Sequence, residues 1–299
     1  MELIRIINKN TTNINQEFIY VSLDTTEGSN CVGHWIWECA LFLPRIKELQ
    51  SKSKIPFKIL LHEKKLYKTN MLSDFGFHEC DIVYSSNMVQ DPDGTEQPHN
   101  KYVYLSEDNL DHIVYVPSFF YVWNINIGNK EIFNKFYNFL NEFRMHYIKN
   151  IPDTTKTIPI SYVARSKVEN YRPNFRNFMN ADAFCNLLEN KMVNIIRTEA
   201  LQSFNPQFHD IIKSKVIIVE MGSAFTINAV FIAMDSHIII INDNWGYHSA
   251  GQSFFHIFRF LMKERNNTVE IFSSGSGTQN FSVNIDAFKK RIDELLVKS

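Results

Sequence analysis

This sequence predicts an α/β fold built as two doubly wound halves, and three observations predict it. Apolar runs of strand length, such as KVIIVE (215–220) and HIIIIN (237–242), are continuous rather than alternating, as strands buried on both faces of a parallel sheet require. Segments with helical apolar spacing alternate with such runs along the chain. A polar stretch near the middle, NIPDTTKTIP (150–159), carries Pro152 and Pro159 and reads as a linker. The expected domains are therefore 1–152 and 153–299.

In chain order, FIYVSL (18–23) and FKILLH (57–62) read as strands on either side of one long amphipathic helix, GHWIWECALFLPRIKEL (33–49). KKLYKTNMLSDFG (64–76) reads as a helix closed by Gly76, because glycine takes the left-handed conformation that ends helices. KYVYLS (101–106) and HIVYVP (112–117) are further strands, and 130–149 is the longest helix before the midpoint. In the second half, IPISYVAR (158–165) and MVNIIR (192–197) are strands around a helix at 180–190 that Asn180 can cap. A helix at 206–215 leads into the two apolar strands, and a final helix at 284–296 has a clear apolar stripe.

Bulk properties narrow the function classes. With 31 basic and 32 acidic residues in 299, the formal net charge is −1, which argues against general nucleic-acid binding. Any anion recognition must be local. The cysteines, Cys31, Cys39, Cys80 and Cys185, are scattered without a CxxC pair, so they read as free thiols of a reducing compartment. The N-terminus lacks the apolar core of a signal peptide, and no run reaches the ~18–20 apolar residues of a membrane span. The expectation is a cytoplasmic protein with no membrane span.

Three stretches carry candidate chemistry. In KVIIVEMGSAFTINAVF (215–231), a buried strand ends at Glu220 and Gly222, Ser223 and Ala224 form a turn into a helix. Free N–H groups at a helix start attract anions, and ligands of open α/β sheets sit at the carboxyl ends of strands. The same residues would also serve a plain strand–turn–helix. In SYVARSKVENYRPNFRNFMN (161–180), a strand delivers Arg165, and a loop brings Arg172 and Arg176 before Asn180. Guanidinium forks suit phosphate oxygens, and solvated surface arginines are the plainer alternative. In the helix at 33–49, His34 and Glu38 are neighbours at i,i+4, with Arg45 further along. A carboxylate beside an imidazole raises its basicity, which suits a general base, though a capping or core histidine fits as well. DPDGTE (91–96) offers Asp91 and Asp93 as a metal pair, but its turn-forming composition accounts for them without one.

These stretches, in this order, resemble glycosyltransferase family 61, once a domain of unknown function. The family pattern opens with His-Trp and runs to Leu-Pro-Arg, as His34-Trp35 and Leu43-Pro44-Arg45 do here. A strand ending in Arg, a second Arg and an Asn are matched by Arg165, Arg176 and Asn180. A Glu-x-x-x-Ser…Gln stretch is matched by Glu199, Ser203 and Gln207, and Gly-(Ser/Ala)-Ala followed by Asn is matched by Gly222, Ser223, Ala224 and Asn228. The tail from Phe281 also looks like the family's closing segment. The chain departs from the pattern at Met221, where many members have His before the glycine, and in a longer gap between His-Trp and Leu-Pro-Arg.

The resemblance implies a GT-B arrangement, two Rossmann-like domains facing a cleft, in which the last helix can pack back on the N-terminal domain. It also implies an inverting, metal-independent hexosyl- or pentosyltransferase of glycan biosynthesis that takes a nucleotide-sugar donor, UDP-linked for choice. Arg165, Arg172, Arg176, Asn180, Gly222, Ser223, Ala224 and Asn228 would then form the donor site, with Glu199 on the ribose. His34 would be the base on the acceptor side, Glu38 its orienting partner, and Arg45 a brace at the helix end. The acceptor would be a hydroxyl of a glycan or glycoconjugate, and no metal or other cofactor is expected. Two alternatives stay open: a non-catalytic sugar- or nucleotide-binding protein on the same fold, which Met221 favours, and a polysaccharide pyruvyl transferase.

Overall fold

The structure is a computed structural model. It describes residues 4–7, 18–23, 32–61, 64–84, 88–89, 104–105, 114–117, 130–149, 151–164, 177–197, 204–242, 256–272 and 280–298. The chain divides into two compact units, Met1–His146 and Tyr147–Ser299. Each is α/β with a five-stranded sheet.

In the first unit the described strands and α-helices are β1 (Ile4–Ile7), β2 (Ile19–Ser22), α1 (Val32–Glu38), α2 (Leu43–Lys52), β3 (Phe57–Leu61), α3 (Leu66–Asp74), β4 (Ile82–Tyr84), β5 (Met88–Val89), β6 (Tyr104–Leu105), β7 (Val114–Pro117) and α4 (Lys130–Ile148), whose last two residues belong to the second unit. The sheet order is β1-β7-β2-β3-β4, parallel throughout except for β1, which runs antiparallel to β7. β5 and β6 pair separately as an antiparallel ladder.

The helix expected at 33–49 is broken, and Pro44 explains the break. A proline has no N–H to donate, and its ring collides with the carbonyl four residues back. The chain leaves α1 at Cys39, with φ −125° and ψ −54°, tightens into a 3-10 turn at Ala40–Phe42, and restarts as α2 with Pro44 in its first turn, where proline is tolerated. The helical phase resets there, so Arg45 does not continue the face of His34 and Glu38. The apolar residues of this run still reach the core: Trp35, Trp37, Phe42 and Ile46 are all buried. Trp35 meets Tyr67 edge-on at 6.0 Å, and Phe42 packs on Phe139 of α4 at 5.6 Å. Gly76 closes α3 as expected: at φ +74° it lets its own N–H reach Ser73 O at 2.8 Å and that of Phe77 reach Leu72 O at 2.9 Å.

The second unit contains β8 (Ile158–Ala164), β9 (Asn177–Phe178), α5 (Ala181–Asn190), β10 (Asn194–Arg197), α6 (Asn205–Lys213), β11 (Ser214–Val219), α7 (Ser223–Ala229), β12 (His237–Ile240), α8 (His256–Glu264), β13 (Thr268–Ile271), β14 (Asn280–Phe281) and α9 (Ile285–Lys298). Its main sheet runs β10-β8-β11-β12-β13, every pair parallel. The chain steps one way from β8 to β10 and the other way for each later crossover. Right-handed connections then put α5 on one face and α6, α7 and α8 on the other.

Side-chain packing agrees with this winding. Ile160, Tyr162, Val216, Ile218 and Ile239 form one core with Phe184 and Leu188 of α5 and Phe288, Ile292 and Leu295 of α9. The apolar stripe of the last helix is thus spent inside this unit. The alternate residues Val163, Ile217, Val219 and Ile238 are buried too, as are Phe208, Phe225 and Phe258 of α6, α7 and α8. This double burial is why β11 and β12 read as unbroken apolar runs. α8 and β13 lie in SFFHIFRFLMKERNNTVEIF, which sequence reasoning left unassigned. Arg265, 4% exposed, closes the end of α7 by donating from Nη1 to Ala229 O at 2.9 Å and Ile232 O at 2.8 Å.

Cys39, Cys80 and Cys185 are free thiols, and Cys31 lies outside the described residues. No helix among the described residues is long and apolar enough to cross a membrane.

Candidate ligand site at the carboxyl edge of the second sheet

The strand order of the second unit contains a switch point. Taken in sequence order, its strands lie second, first, third, fourth, fifth, so the winding reverses between β8 and β11. These two strands are parallel neighbours, with Val163 opposite Val219. The helix that follows β8, α5, lies on one face, and the helix that follows β11, α7, on the other. Ligands of open α/β sheets bind at such switch points.

Beyond β8 the chain continues into Arg165. That residue, Arg172, Arg176 and Glu199 lie outside the described residues. Beyond β11 come Glu220 and Met221, 4% and 1% exposed, and then Gly222 at φ 111° and ψ −144°. That conformation is open to glycine and strained for any residue with a Cβ. It allows the chain to pass from a buried strand directly into α7, whose first residues are Ser223 and Ala224. The turn is tied on both sides. Met221 N donates to Asn242 O at 3.3 Å, and Thr226 N donates to Gly222 O at 2.9 Å. The first N–H groups of a helix have no acceptors within it, so such a turn presents donors.

The two candidate asparagines prove to be internal struts. Asn228 is fully buried; its Nδ2 donates to Ala224 O at 2.7 Å, and its Oδ1 accepts from Gln207 Nε2 at 2.7 Å. Asn180 precedes α5 but makes no side-chain cap there, contrary to the expectation from sequence. Its Nδ2 donates to Val283 O at 2.7 Å, and its Oδ1 accepts from Val283 N at 3.0 Å. The physical reason is the small parallel ladder of β9 and β14, which brings Val283 beside Asn180 and offers two backbone groups at once. Both carboxamides act on the shape of the loops, Asn228 behind the Gly222 turn and Asn180 at the exit of the arginine-bearing segment.

Three polar residues at this edge stand outside the site read from sequence, although Gln207 belongs to the matched Glu-x-x-x-Ser…Gln stretch. Gln207 holds Asn228. Glu220 directly follows β11, in phase with Val216 and Ile218, and so continues the α5 face. Burial is the main reason the Cys185 thiol on α5 titrates above its ordinary range; Arg197 works against this, and Glu189, Asp182 and Glu220 add to it. Asn242, 1% exposed, follows β12, and no donor among the described residues reaches its buried Oδ1. The polar residues that end KVIIVE and HIIIIN were visible signals for the last two.

In the first unit, His34 and Glu38 both lie on α1, one turn apart, and their side chains are outside the description. Arg45 Nη1 donates to Glu48 at 2.6 Å and Nη2 to Glu142 of α4 at 2.7 Å, so it braces α2 on α4. Asp91 and Asp93 lie outside the described residues, and among those described no three His, Cys, Asp or Glu side chains are grouped for a metal. No protein-family model and no curated protein matches the chain.

Proposed function

We propose that the chain is an inverting glycosyltransferase of GT-B type that uses a nucleotide-sugar donor, UDP-linked, and a hydroxyl acceptor on a glycan or glycoconjugate. The observation that carries this reading is the switch point between β8 and β11. There the glycine turn of Gly222 lies next to the strand end from which Arg165 follows in sequence.

In this reading Arg165, Arg172 and Arg176 neutralise the diphosphate, and the N–H groups around Gly222, Ser223 and Ala224 add donors. Negative charge grows on the leaving diphosphate as the glycosidic bond breaks, and preorganised donors stabilise it most at that stage. Glu199 binds the ribose hydroxyls. Asn228 and Asn180 shape the loops rather than touch the donor. His34 removes the acceptor proton, Glu38 orients the imidazole, and attack from the face opposite the diphosphate inverts the anomeric carbon. No metal is assigned a role.

The test is a thermal-shift panel of UDP, UDP-sugars and other nucleotides, with and without EDTA. A ligand at about 100 times its dissociation constant stabilises by ~2.7 kcal/mol, enough to raise the melting temperature visibly. A shift with UDP or one UDP-sugar that EDTA leaves alone is expected. No shift with any nucleotide removes the donor site, and a shift lost in EDTA restores Asp91 and Asp93 as a metal pair.

A second reading, a binding protein without turnover, is favoured by Met221, which stands where many members of the resembled family have His and is packed into the core. Slow hydrolysis of the stabilising UDP-sugar separates the two, because a binder hydrolyses nothing.

A further inference from the structure

We propose that Asn242 is a specificity residue whose side-chain oxygen accepts a hydrogen bond from an N–H or O–H group of the ligand; that this ligand is a nucleotide sugar rests on the donor-site reading above. Asn242 lies just beyond β12 and is 1% exposed. Its backbone oxygen accepts from Met221 N at 3.3 Å, which sets it beside the end of β11, one strand from the switch point. Its Oδ1 is buried, and no donor among the described residues reaches it.

Other buried polar side chains of this unit are engaged inside the fold. Asn228 bonds Gln207 and Ala224 O, Ser161 bonds Ser214, and Ser236 bonds Ala233 O. The four residues before Asn242, Ile238 to Ile241, are all isoleucines with no exposed surface. An apolar residue at 242 would extend that run without a polar group to satisfy. An amide there costs the fold the hydration of its oxygen, and such a group needs a partner from outside the packed chain. Asn242 sits at the carboxyl edge, where open α/β sheets take their ligands.

A carbonyl oxygen only accepts, so that partner is a donor. The diphosphate of a nucleotide sugar offers none. The imide N–H of uracil and the hydroxyls of ribose and sugar do. A buried acceptor also discriminates, because a ligand without the matching donor leaves it stranded.

The test measures dissociation constants of UDP, N3-methyl-UDP and UDP-sugars for native protein and Asn242→Leu, with Asn242→Ala as the companion that removes the same oxygen without adding bulk. Without nucleotide, Asn242→Leu is expected to melt no lower than native. Its dissociation constant for the ligand that carries the donor should rise roughly ten- to a hundredfold, the scale of one buried hydrogen bond. If uracil supplies the donor, native protein prefers UDP to N3-methyl-UDP and the variants lose that preference. If ribose does, the variants weaken for both alike. If the sugar does, the loss is confined to UDP-sugars. Folded variants that bind UDP and UDP-sugars as tightly as native protein overturn the proposal and leave water as the partner of the oxygen. A nucleotide-free melting temperature that falls in both variants as far as a broken buried bond requires also overturns it, because the oxygen is then engaged within the fold. Native protein that binds no nucleotide overturns the donor reading itself, and with it a nucleotide as the partner of Asn242.

Discussion

Asn180 and Val283 are hydrogen-bonded in both directions, Asn180 Nδ2 to Val283 O at 2.7 Å and Val283 N to Asn180 Oδ1 at 3.0 Å. One side chain replaces two missing rungs of a ladder, because the β9–β14 pairing itself is only two residues long. Val283 is 2% exposed, so its N–H has no recourse to water if Asn180 is removed. Asn180→Ala should therefore lower the unfolding free energy by about 1–3 kcal/mol. Urea denaturation reads this as a lower midpoint at an unchanged slope. A midpoint equal to native would mean the clamp contributes nothing.

Gly222 gives a backbone prediction. At φ 111° and ψ −144° it occupies a region that a Cβ makes unfavourable. Gly222→Ala should cost about 1–3 kcal/mol if the turn keeps its shape. If the turn relaxes instead, stability is spared and UDP affinity falls. Loss of neither would show that the turn is neither constrained nor used.

Much of the fold was legible because burial on both faces leaves a distinct mark. KVIIVE and HIIIIN became adjacent parallel strands, and Gly76 ended a helix by the conformation only glycine takes easily. The break before Pro44 followed from the missing N–H, yet the apolar spacing of 33–49 masked it. β13 was missed because it is an edge strand, half-exposed, without the apolar run of its neighbours. At the candidate site, residue types were readable but bonding was not. Asn180 and Val283 are 103 positions apart, and no local pattern signals that a polar side chain near a loop is already engaged.

Asn242 offers a prediction of the opposite sign to Asn180. Among the described residues no donor reaches its buried side-chain oxygen, a state that costs the fold its desolvation. Asn242→Leu removes that oxygen and leaves the backbone carbonyl that holds Met221 N. Stability should be unchanged or raised by up to about 1 kcal/mol, whereas breaking a satisfied buried bond would lower it by about 1–3 kcal/mol. The melting temperature decides between them.

Glu270 sets a pH dependence. It accepts from Arg291 Nη2 at 2.6 Å and contacts His237 Nε2 at 2.8 Å, which joins β13 to α9 and β12. Burial pushes its carboxyl up, but the hydrogen bonds from Arg291 and His237 outweigh this and hold it below its ordinary value of 4.5. A depressed folded value gives stability that is fully present above the unfolded value and is lost as pH falls through the folded one. The stability gap between native protein and Glu270→Gln should therefore be steady from neutral pH to about pH 5 and close below the ordinary carboxylate range. Thermal melts of both proteins across that range check it, and a gap that widens in acid would reverse the sign.

The opening helix gives the prediction on which turnover depends. His34 and Glu38 share α1, a seven-residue helix uninterrupted between them, so one turn separates them as the general-base reading requires. A positioned base contributes roughly 10²–10⁴-fold to rate. His34→Ala should lose that factor in kcat, and UDP affinity should be native because the diphosphate is assigned to the second unit. Glu38→Gln keeps the shape and removes the carboxylate that the general-base reading sets beside the imidazole, so its loss should be smaller. Single-turnover rates beside UDP-binding curves separate the outcomes. Loss of turnover with intact binding supports His34 as the base. Near-native turnover in His34→Ala would falsify the assignment, and a parallel loss of UDP affinity would place His34 in donor binding.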